Sequence, residues 1–113
     1  MTTQHDRNIL TIDDRAIEMP YDVRKVIEDD PLAFVLLSIP AVVNETRNIY
    51  AFRGAEALWQ VEDLNELYPE RKNLPFEDIR LTEEGLAGTD FYGRRYLINP
   101  QTGKITGQLQ SGK

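Results

Sequence analysis

The sequence contains no cysteine, one histidine and two serines in its 113 residues. The absence of cysteine excludes a disulfide framework and a thiolate metal site. The histidine, His5, lies in a segment that we expect to be disordered, while Ser38 lies inside an apolar run and Ser111 in the tail. So few nucleophilic and metal-binding side chains do not favour Ser-His or Cys-His catalysis, nor a zinc or iron site of the His/Cys type. We therefore predict a non-enzymatic protein with no catalytic residues, no metal ion and no cofactor.

Two further chemistries are poorly supported. The chain has no glycine-rich phosphate-binding loop. Carboxylates are abundant, so a carboxylate pair for glycoside hydrolysis stays formally open, although acids in turns are ordinarily solvated. Glu83, Glu84 and Asp90 are candidates for a calcium site, but their spacing matches no known calcium loop. An ordinary polar turn is the favoured interpretation of these three residues.

The chain also lacks an apolar run of about 18 residues, so no transmembrane helix is predicted. The first twenty residues are polar and include Asp13 and Asp14, unlike a secretory signal. We expect a cytoplasmic protein that does not bind membranes. The length suits a single domain over residues 1–113, with residues 1–7 disordered and residues 110–113 forming a flexible tail.

Acidic residues are missing from the last part of the chain. From residue 91 onward there are four basic residues and no acid, so residues 1–90 hold all 19 acids and nine bases. An acidic body disfavours nucleic acid, because binding to a phosphate backbone relies on Lys and Arg. Two interpretations of the net charge of −6 stay open, namely solubility alone or an acidic face that binds a basic protein.

The stretch 47–61 predicts a central β-hairpin and carries the only tryptophan. Its arms are Asn48–Phe52 and Ala57–Val61, and both are rich in residues that suit a pleated, half-buried surface. The four-residue connection Arg53–Glu56 contains a glycine that can adopt positive φ. An isolated hairpin is marginal in water, so the rest of the chain must supply further strands.

Aromatic residues are expected to set the register of this hairpin. Side chains alternate between the two faces of a strand, so Tyr50 and Phe52 share one face of the first arm. Trp59 shares a face of the second arm with Ala57 and Val61. We expect Trp59 to meet the two rings of the first arm across the hairpin, because cross-strand aromatic pairs stabilise a sheet.

The remaining patterns predict further antiparallel strands and one short helix. The apolar run Leu32–Ile39 lies between two prolines and indicates a strand in the middle of a sheet, covered on both faces. Asp63, three residues before Glu66, is a candidate N-cap for one or two helical turns. The other predicted strands are Asn8–Ile12, Ala16–Met19, Val23–Glu28, Asp78–Thr82, Leu86–Asp90, Arg94–Ile98 and Lys104–Leu109. The predicted fold is all-β, with antiparallel meanders forming two packed sheets or a partly open, propeller-blade-like barrel.

Three segments resemble the hairpins of pyrroloquinoline-quinone-type propeller repeats, namely Asn48–Phe52, Leu58–Gln60 and Tyr96–Ile105. They are also similar to small uncharacterised bacterial all-β proteins, over about the last two-thirds of the chain. The resemblance implies packed antiparallel sheets and no activity. The connection Arg53–Glu56 departs from the Asp-x-x-Gly of those proteins. A full propeller needs at least four blades and this chain holds about two, so cofactor binding by the propeller enzymes does not carry over.

A small, acidic domain without nucleophiles favours a protein–protein interaction module, such as an immunity-type inhibitor of a toxin. The acids expected on its partner-binding face are Glu62, Asp63, Glu66 and Glu70. Two alternatives stay open. One is a β-barrel that binds a small ligand, and the other is a structural subunit of a homo-oligomer. The aromatic residues expected to line the ligand pocket of such a barrel are Tyr50, Trp59, Tyr68 and Tyr96.

Overall fold

A computed structural model describes residues 1–109 as eleven antiparallel strands and one short helix. The predicted flexible tail, residues 110–113, lies outside the described residues. The elements in chain order are β1 (Thr3–Asp6), β2 (Ile9–Ile12), β3 (Arg15–Glu18), β4 (Val23–Asp29), β5 (Leu32–Leu37), β6 (Ile49–Arg53), β7 (Glu56–Gln60), α1 (Leu64–Leu67), β8 (Phe76–Thr82), β9 (Gly85–Asp90), β10 (Arg95–Ile98) and β11 (Ile105–Leu109).

The strands form three meanders, in which each strand pairs with its neighbours in sequence. Sheet A contains β1 to β3, sheet B contains β4 to β7, and sheet C contains β8 to β11. The predicted all-β class with one short helix is confirmed. The count of sheets is three rather than two, and within residues 1–109 each sheet is open, with its first and last strands at the edges.

Sheet A includes the N-terminal segment that was expected to be disordered. The structure instead places Thr3–Asp6 in β1, which pairs with β2. Side chains from elsewhere in the chain also hold this segment, since Asp13 accepts a hydrogen bond from the Thr2 N–H at 2.9 Å and Glu28 accepts one from the Thr3 N–H at 3.0 Å. The segment is polar and largely exposed, so backbone pairing rather than burial orders it. That is why hydrophobic patterning missed it.

Sheet B is the middle layer of the molecule. Its strand β5 lies between β4 and β6, and all six of its side chains are buried, as the sequence predicted. The side chain of Phe34 and those two positions before and after it face sheet C. The side chain of Val35 and those two positions before and after it face sheet A. Burial of one such side chain is worth about 1.5–3 kcal/mol. This one apolar strand therefore contributes to the core between sheets B and C and to the core between sheets A and B.

The central hairpin forms between β6 and β7, but its turn is tighter than predicted because Arg53 pairs directly with Glu56. The register shifts between Ala51 and Phe52, which leaves one unpaired residue, Leu58, on the opposite strand. Trp59 is consequently opposite Ala51 rather than on the face of Phe52. The expectation that Trp59 shares a face with Ala57 and meets the rings of the first arm is therefore wrong. A β-bulge moved it to the other side of the sheet.

Sheet C confirms the predicted C-terminal meander, with strand bounds shifted by one or two residues. Ile79, Leu86, Tyr96 and Ile98 face sheet B and form one core with its buried side chains. Leu109 lies opposite Arg95 on the outer face, because the register of β10 and β11 shifts beyond Leu97. The helix begins after Asp63, whose carboxylate accepts a hydrogen bond from the Asn65 N–H at 2.9 Å.

Candidate interaction surface

Three loops meet at one end of sheets B and C. They are residues 38–48 between β5 and β6, residues 68–75 between α1 and β8, and residues 91–94 between β9 and β10. Hydrogen bonds hold them together, including one from the Phe91 N–H to the Pro75 carbonyl at 3.1 Å. We refer to these three loops as the loop-end surface. It carries three large apolar side chains that are exposed, those of Val42, Phe91 and Tyr92.

The turn between β9 and β10 displays two aromatic rings. The side chain of Phe91 is 63% exposed and that of Tyr92 is 49% exposed. The rings contact each other edge to face, with centroids 6.0 Å apart. Exposed aromatic side chains are unusual on a polar surface and are enriched where proteins bind one another.

A buried carboxylate holds this turn in shape. Asp90 Oδ1 accepts hydrogen bonds from the N–H groups of Tyr92 at 3.0 Å and Arg94 at 2.9 Å. Its Oδ2 accepts from Arg94 Nε at 2.9 Å, and the Asp90 side chain is fully buried. Aspartate commonly bonds the backbone two residues ahead in turns, and Gly93 supplies the positive φ that closes this one. The Asp-x-x-Gly-Arg sequence therefore builds a turn with one conformation.

Arg94 joins the turn to the second loop. Its guanidinium lies over the ring of Tyr92, 4.7 Å from the ring centroid, and donates a hydrogen bond to the Lys72 carbonyl at 3.0 Å. The ring thus contacts both a cation and the ring of Phe91. Side chains held in this way lose little further freedom on binding, which favours affinity.

A cleft of about 280 Å³ lies beside the aromatic turn. An adjoining hollow of about 420 Å³ shares part of its wall and is also lined by Asn65 and Lys72. Val42, at the tip of the first loop, is 95% exposed at the edge of this hollow. The carboxylate of Glu77 is the one charged group of the cleft. The apolar lining of the cleft includes Ile39, Pro40, Val43, Leu74, Pro75 and Phe91.

The structure separates the four predicted partner-binding acids into two pairs. Glu62 accepts a hydrogen bond from the Ile105 N–H at 2.9 Å, and Asp63 accepts one from Thr46 Oγ1 at 2.8 Å while also capping α1. These two carboxylates hold the fold together. Glu66 and Glu70 are exposed on and after α1, the helix that supplies Asn65 to the hollow. Of the four acids, only this second pair is exposed, with Glu70 in the loop-end surface and Glu66 beside it.

The four aromatic residues predicted to line a pocket do not converge. Tyr50 stacks on Phe52 on the side of sheet A. Trp59 packs on Phe34 on the side of sheet C, and its indole N–H donates to the Pro100 carbonyl at 2.9 Å. Tyr68 and Tyr96 do meet, with ring centroids 6.0 Å apart. These rings are parts of the cores rather than the walls of one cavity.

Two of these tyrosines have perturbed acidity. Burial raises the pKa of the Tyr50 hydroxyl, and the nearby Glu45 carboxylate adds to the effect. Burial likewise raises the pKa of the Tyr96 hydroxyl, with Asp90 as the next contributor. Tyr96 also hydrogen-bonds Arg71, whose guanidinium stacks over Tyr68 at 4.0 Å. Both hydroxyls are therefore kept neutral, and that of Tyr96 accepts a structural hydrogen bond from Arg71.

Sequence reasoning missed the main residues of the loop-end surface. Phe91 and Tyr92 fall between the predicted strands Leu86–Asp90 and Arg94–Ile98, and Val42 falls outside every predicted element, so the patterns assign these residues no role. A signal was present, because two consecutive aromatic residues in a polar, glycine-containing turn have no strand neighbour to bury them. Their exposure follows from the turn that Asp90 builds. The dependence of this exposure on Asp90 rests on its hydrogen bonds to the turn, which the periodicity of the sequence does not reveal.

Within residues 1–109, no group of three or more histidine or acidic side chains is arranged to hold a metal ion. No helix in the same range is both long enough and apolar enough to cross a membrane. The fold and the surface thus define a small all-β protein of three stacked meanders with an apolar surface at one end. The family model described as Domain of unknown function (DUF7957) matches residues 1–109, so the chain belongs to that family. Comparison with curated proteins and with solved structures found no match. The resemblance to propeller repeats stays a prediction.

Proposed function

We propose that this protein is a non-enzymatic interaction module and that the loop-end surface binds a basic protein. The observation that carries the proposal is the rigid aromatic turn beside an apolar cleft. Phe91 and Tyr92 are exposed, and the backbone of the turn that carries them is held by the buried Asp90. Pre-formed aromatic side chains next to a pocket are the usual centre of a protein interface.

The charge of the chain indicates the chemistry of the partner. The net charge is −6, and Glu66 on α1 and Glu70 in the loop after it are both exposed. Lys72 lines the hollow, and the carboxylate of Glu77 in the cleft is paired with Arg24 at 3.1 Å. Within residues 1–109, Glu66 and Glu70 therefore carry the unpaired acidity of this region. A partner that offers an apolar side chain flanked by Lys or Arg complements this arrangement. Opposite charges of this kind mainly accelerate association. An immunity-type role, in which the module covers the active site of a basic toxin, fits this chemistry and is the finer form of the proposal.

The test begins with capture of partners by the tagged full chain from the lysate of its own host, at low and moderate salt. Any stoichiometric protein is then purified, and its affinity is measured for the wild type, Phe91→Ser and Leu81→Ser. Leu81 is 43% exposed on β8, so its replacement removes apolar surface outside the loop-end surface. We expect Phe91→Ser to weaken binding by about thirtyfold or more, and Leu81→Ser by less than about threefold.

A partner that binds all three proteins equally would contradict the proposed surface. A preparation that holds no stoichiometric protein at either salt concentration would count against the interaction module itself. The double variant Glu66→Lys, Glu70→Lys should slow association at low salt and leave dissociation nearly unchanged, because exposed charges act mainly on encounter. For the toxin form of the proposal, a captured partner must also lose its own activity when the module is bound.

A further inference from the structure

The outer face of sheet C carries a second, chemically different arrangement of side chains. Asp78, Thr89 and Arg95 are consecutive cross-strand partners on β8, β9 and β10. Arg80 lies two residues beyond Asp78 on the same strand, so it shares their face. The intervening row faces the core instead, since Ile79 is fully buried there. These four outward side chains line a shallow depression of about 270 Å³.

Two guanidinium groups border this depression with donors still available. Arg80 contacts Asp78 through Nε alone, at 3.2 Å, and its side chain is 72% exposed. Among residues 1–109, Arg95 forms no ion pair with a carboxylate. Thr89 lies between Asp78 and Arg95 in the register, so its hydroxyl adds a neutral donor within the depression.

The one carboxylate of the depression is already neutralised from the side. Lys25, on β4 of sheet B, donates to Asp78 Oδ1 at 2.9 Å and to the Ile79 carbonyl at 2.7 Å. Asp78 therefore holds both Lys25 and Arg80 in place, and Arg95 lines the same depression, so three cations accompany one anion there. This local excess of positive charge lies on a protein whose net charge is −6. Acidity of the whole chain does not account for it.

We propose that Arg80, Thr89 and Arg95 form a binding site for a dianionic phosphoryl group. Guanidinium groups bind phosphoryl oxygens through paired N–H donors, and two of them match the charge of a phosphate dianion. The hydroxyl of Thr89 supplies a further donor to an oxygen directed at the sheet. The source of the group is either a small phosphate-containing ion or a phosphorylated side chain of a partner, and the chemistry of recognition is the same. This site is independent of the loop-end surface.

The test is a titration of the isotope-labelled full chain with inorganic phosphate at constant ionic strength, followed by the NMR signals of the arginine Nε–H groups and of the β9 and β10 amides. We expect saturable shifts confined to Arg80, Thr89, Arg95 and their neighbours. Arg80→Gln and Arg95→Gln should each weaken binding by about tenfold, the loss expected for one charge-assisted contact. Arg15→Gln, which removes an exposed arginine from sheet A, should leave the affinity unchanged.

Two further comparisons distinguish the role of the charge from that of the paired donors, and a small ion from a phosphorylated partner. Arg95→Lys keeps the charge but loses the paired donors, so it should fall between wild type and Arg95→Gln. A short neutral peptide with one phosphoserine is compared with its unphosphorylated form, and tighter binding than inorganic phosphate would assign the site to a phosphorylated partner. Shifts that do not saturate, that chloride reproduces, or that persist equally in Arg95→Gln would overturn the proposal. Thermal melting of each variant confirms that the fold is retained.

Discussion

The side-chain amide of Asn48 and the backbone of Phe76 form a reciprocal pair of hydrogen bonds. Asn48 Nδ2 donates to the Phe76 carbonyl at 2.8 Å, and Asn48 Oδ1 accepts from the Phe76 N–H at 3.0 Å. Nδ2 also donates to the Leu37 carbonyl at 2.8 Å. Because Asn48 precedes β6 of sheet B and Phe76 begins β8 of sheet C, one side chain bridges two sheets with the geometry of a backbone ladder. It also fixes the base of the loop that carries Val42.

Replacement of Asn48 by alanine should therefore destabilise the protein strongly. The change leaves two buried carbonyls and one buried N–H without their partner, and each unpaired buried group costs about 1–3 kcal/mol. We expect the free energy of unfolding, measured with urea, to fall by about 3 kcal/mol or more. Asn44→Ala, an exposed asparagine in the same loop, is the matched control and should change it by less than about 0.5 kcal/mol. Equal effects of the two substitutions would contradict the bridging role.

The sequence was sufficient to predict most strands, because alternation and apolar runs determine which segments pair. The clearest case is β5, whose burial on both faces follows from an unbroken apolar run between prolines. The bulge at Leu58 was not predictable in this way, since its position depends on how Trp59 packs against Phe34 and reaches Pro100. The one extra residue in β7 places Trp59 on the opposite face of the sheet from the one predicted.

The candidate surface was less predictable than the fold. Four acids near α1 were identified by their clustering, but Glu62 and Asp63 hold structural hydrogen bonds that only the tertiary fold provides. The exposure of Phe91 likewise depends on the turn that Asp90 holds. The pattern of the sequence does not distinguish Asp90 from the other acidic residues that lie in turns. Local patterns thus indicate elements, whereas the roles of polar side chains depend on contacts between residues that are distant in sequence.

Two glycines with positive φ should respond differently to substitution by alanine. Gly103 has φ +76°, and a Cβ added there would lie 2.5 Å from the ring of Trp59, whereas Gly54 has φ +56° and open space around it. Gly54→Ala should cost about 1 kcal/mol, the price of the backbone conformation alone. Gly103→Ala should cost about 2 kcal/mol more, because the indole must move.

The measurement combines urea unfolding with the fluorescence of Trp59, the only tryptophan. In Gly103→Ala the indole should lose its hydrogen bond to the Pro100 carbonyl, and its emission should shift to longer wavelength in the folded protein. In Gly54→Ala the folded-state emission should match that of the wild type. If both variants lost the same stability with unchanged emission, the close contact between Gly103 and Trp59 would be refuted.

The ion pairs between β4 and β8 predict a dependence of stability on acid. Burial alone would raise the pKa of Asp78, but hydrogen bonds from Lys25 and Arg80 outweigh it and lower the pKa below its ordinary value of 3.8. A group whose pKa is lowered by folding contributes stability above its unfolded-state pKa, and that stability is lost as the pH falls through the folded-state value. Asp78→Asn should therefore be less stable than wild type at about pH 6, and the difference should shrink as the pH falls below the unfolded-state pKa and through the folded-state one.

Glu77→Gln provides the control for this pH dependence. Glu77 pairs with Arg24 at 3.1 Å, and both side chains are more than 40% exposed, so the pair should contribute little at any pH. Urea unfolding of the three proteins at several pH values supplies the comparison. A difference between wild type and Asp78→Asn that stays constant, or that grows as the pH falls, would show that the carboxylate of Asp78 is not held in its charged form.

The last prediction concerns the rigidity of the aromatic turn. Asp90→Ala removes the carboxylate that accepts from the N–H groups of Tyr92 and Arg94, and it leaves the Arg94 guanidinium without its counter-ion. Loss of one partner of a buried pair costs about 3 kcal/mol. Hydrogen exchange of the Tyr92 and Arg94 amides should accelerate by at least about tenfold relative to global unfolding, because their acceptor is gone. The Glu84 amide, which donates to the Thr82 hydroxyl in the turn at the other end of β9, should be unaffected.

Asp90→Ala also tests whether partner binding depends on the rigidity of the turn or only on the contact area of its two rings. Asp90→Ala keeps Phe91 and Tyr92, so a surface that acts only through its exposed area would bind as before. If the turn must be pre-formed, binding weakens although no contacting ring has been removed, because the cost of ordering the loop is then added to association. Asp90→Asn retains an oxygen that can accept from both amides, so its exchange rates and its affinity should lie between those of wild type and Asp90→Ala. Full affinity of Asp90→Ala together with rapid exchange at Tyr92 would show that the rings bind without a fixed turn.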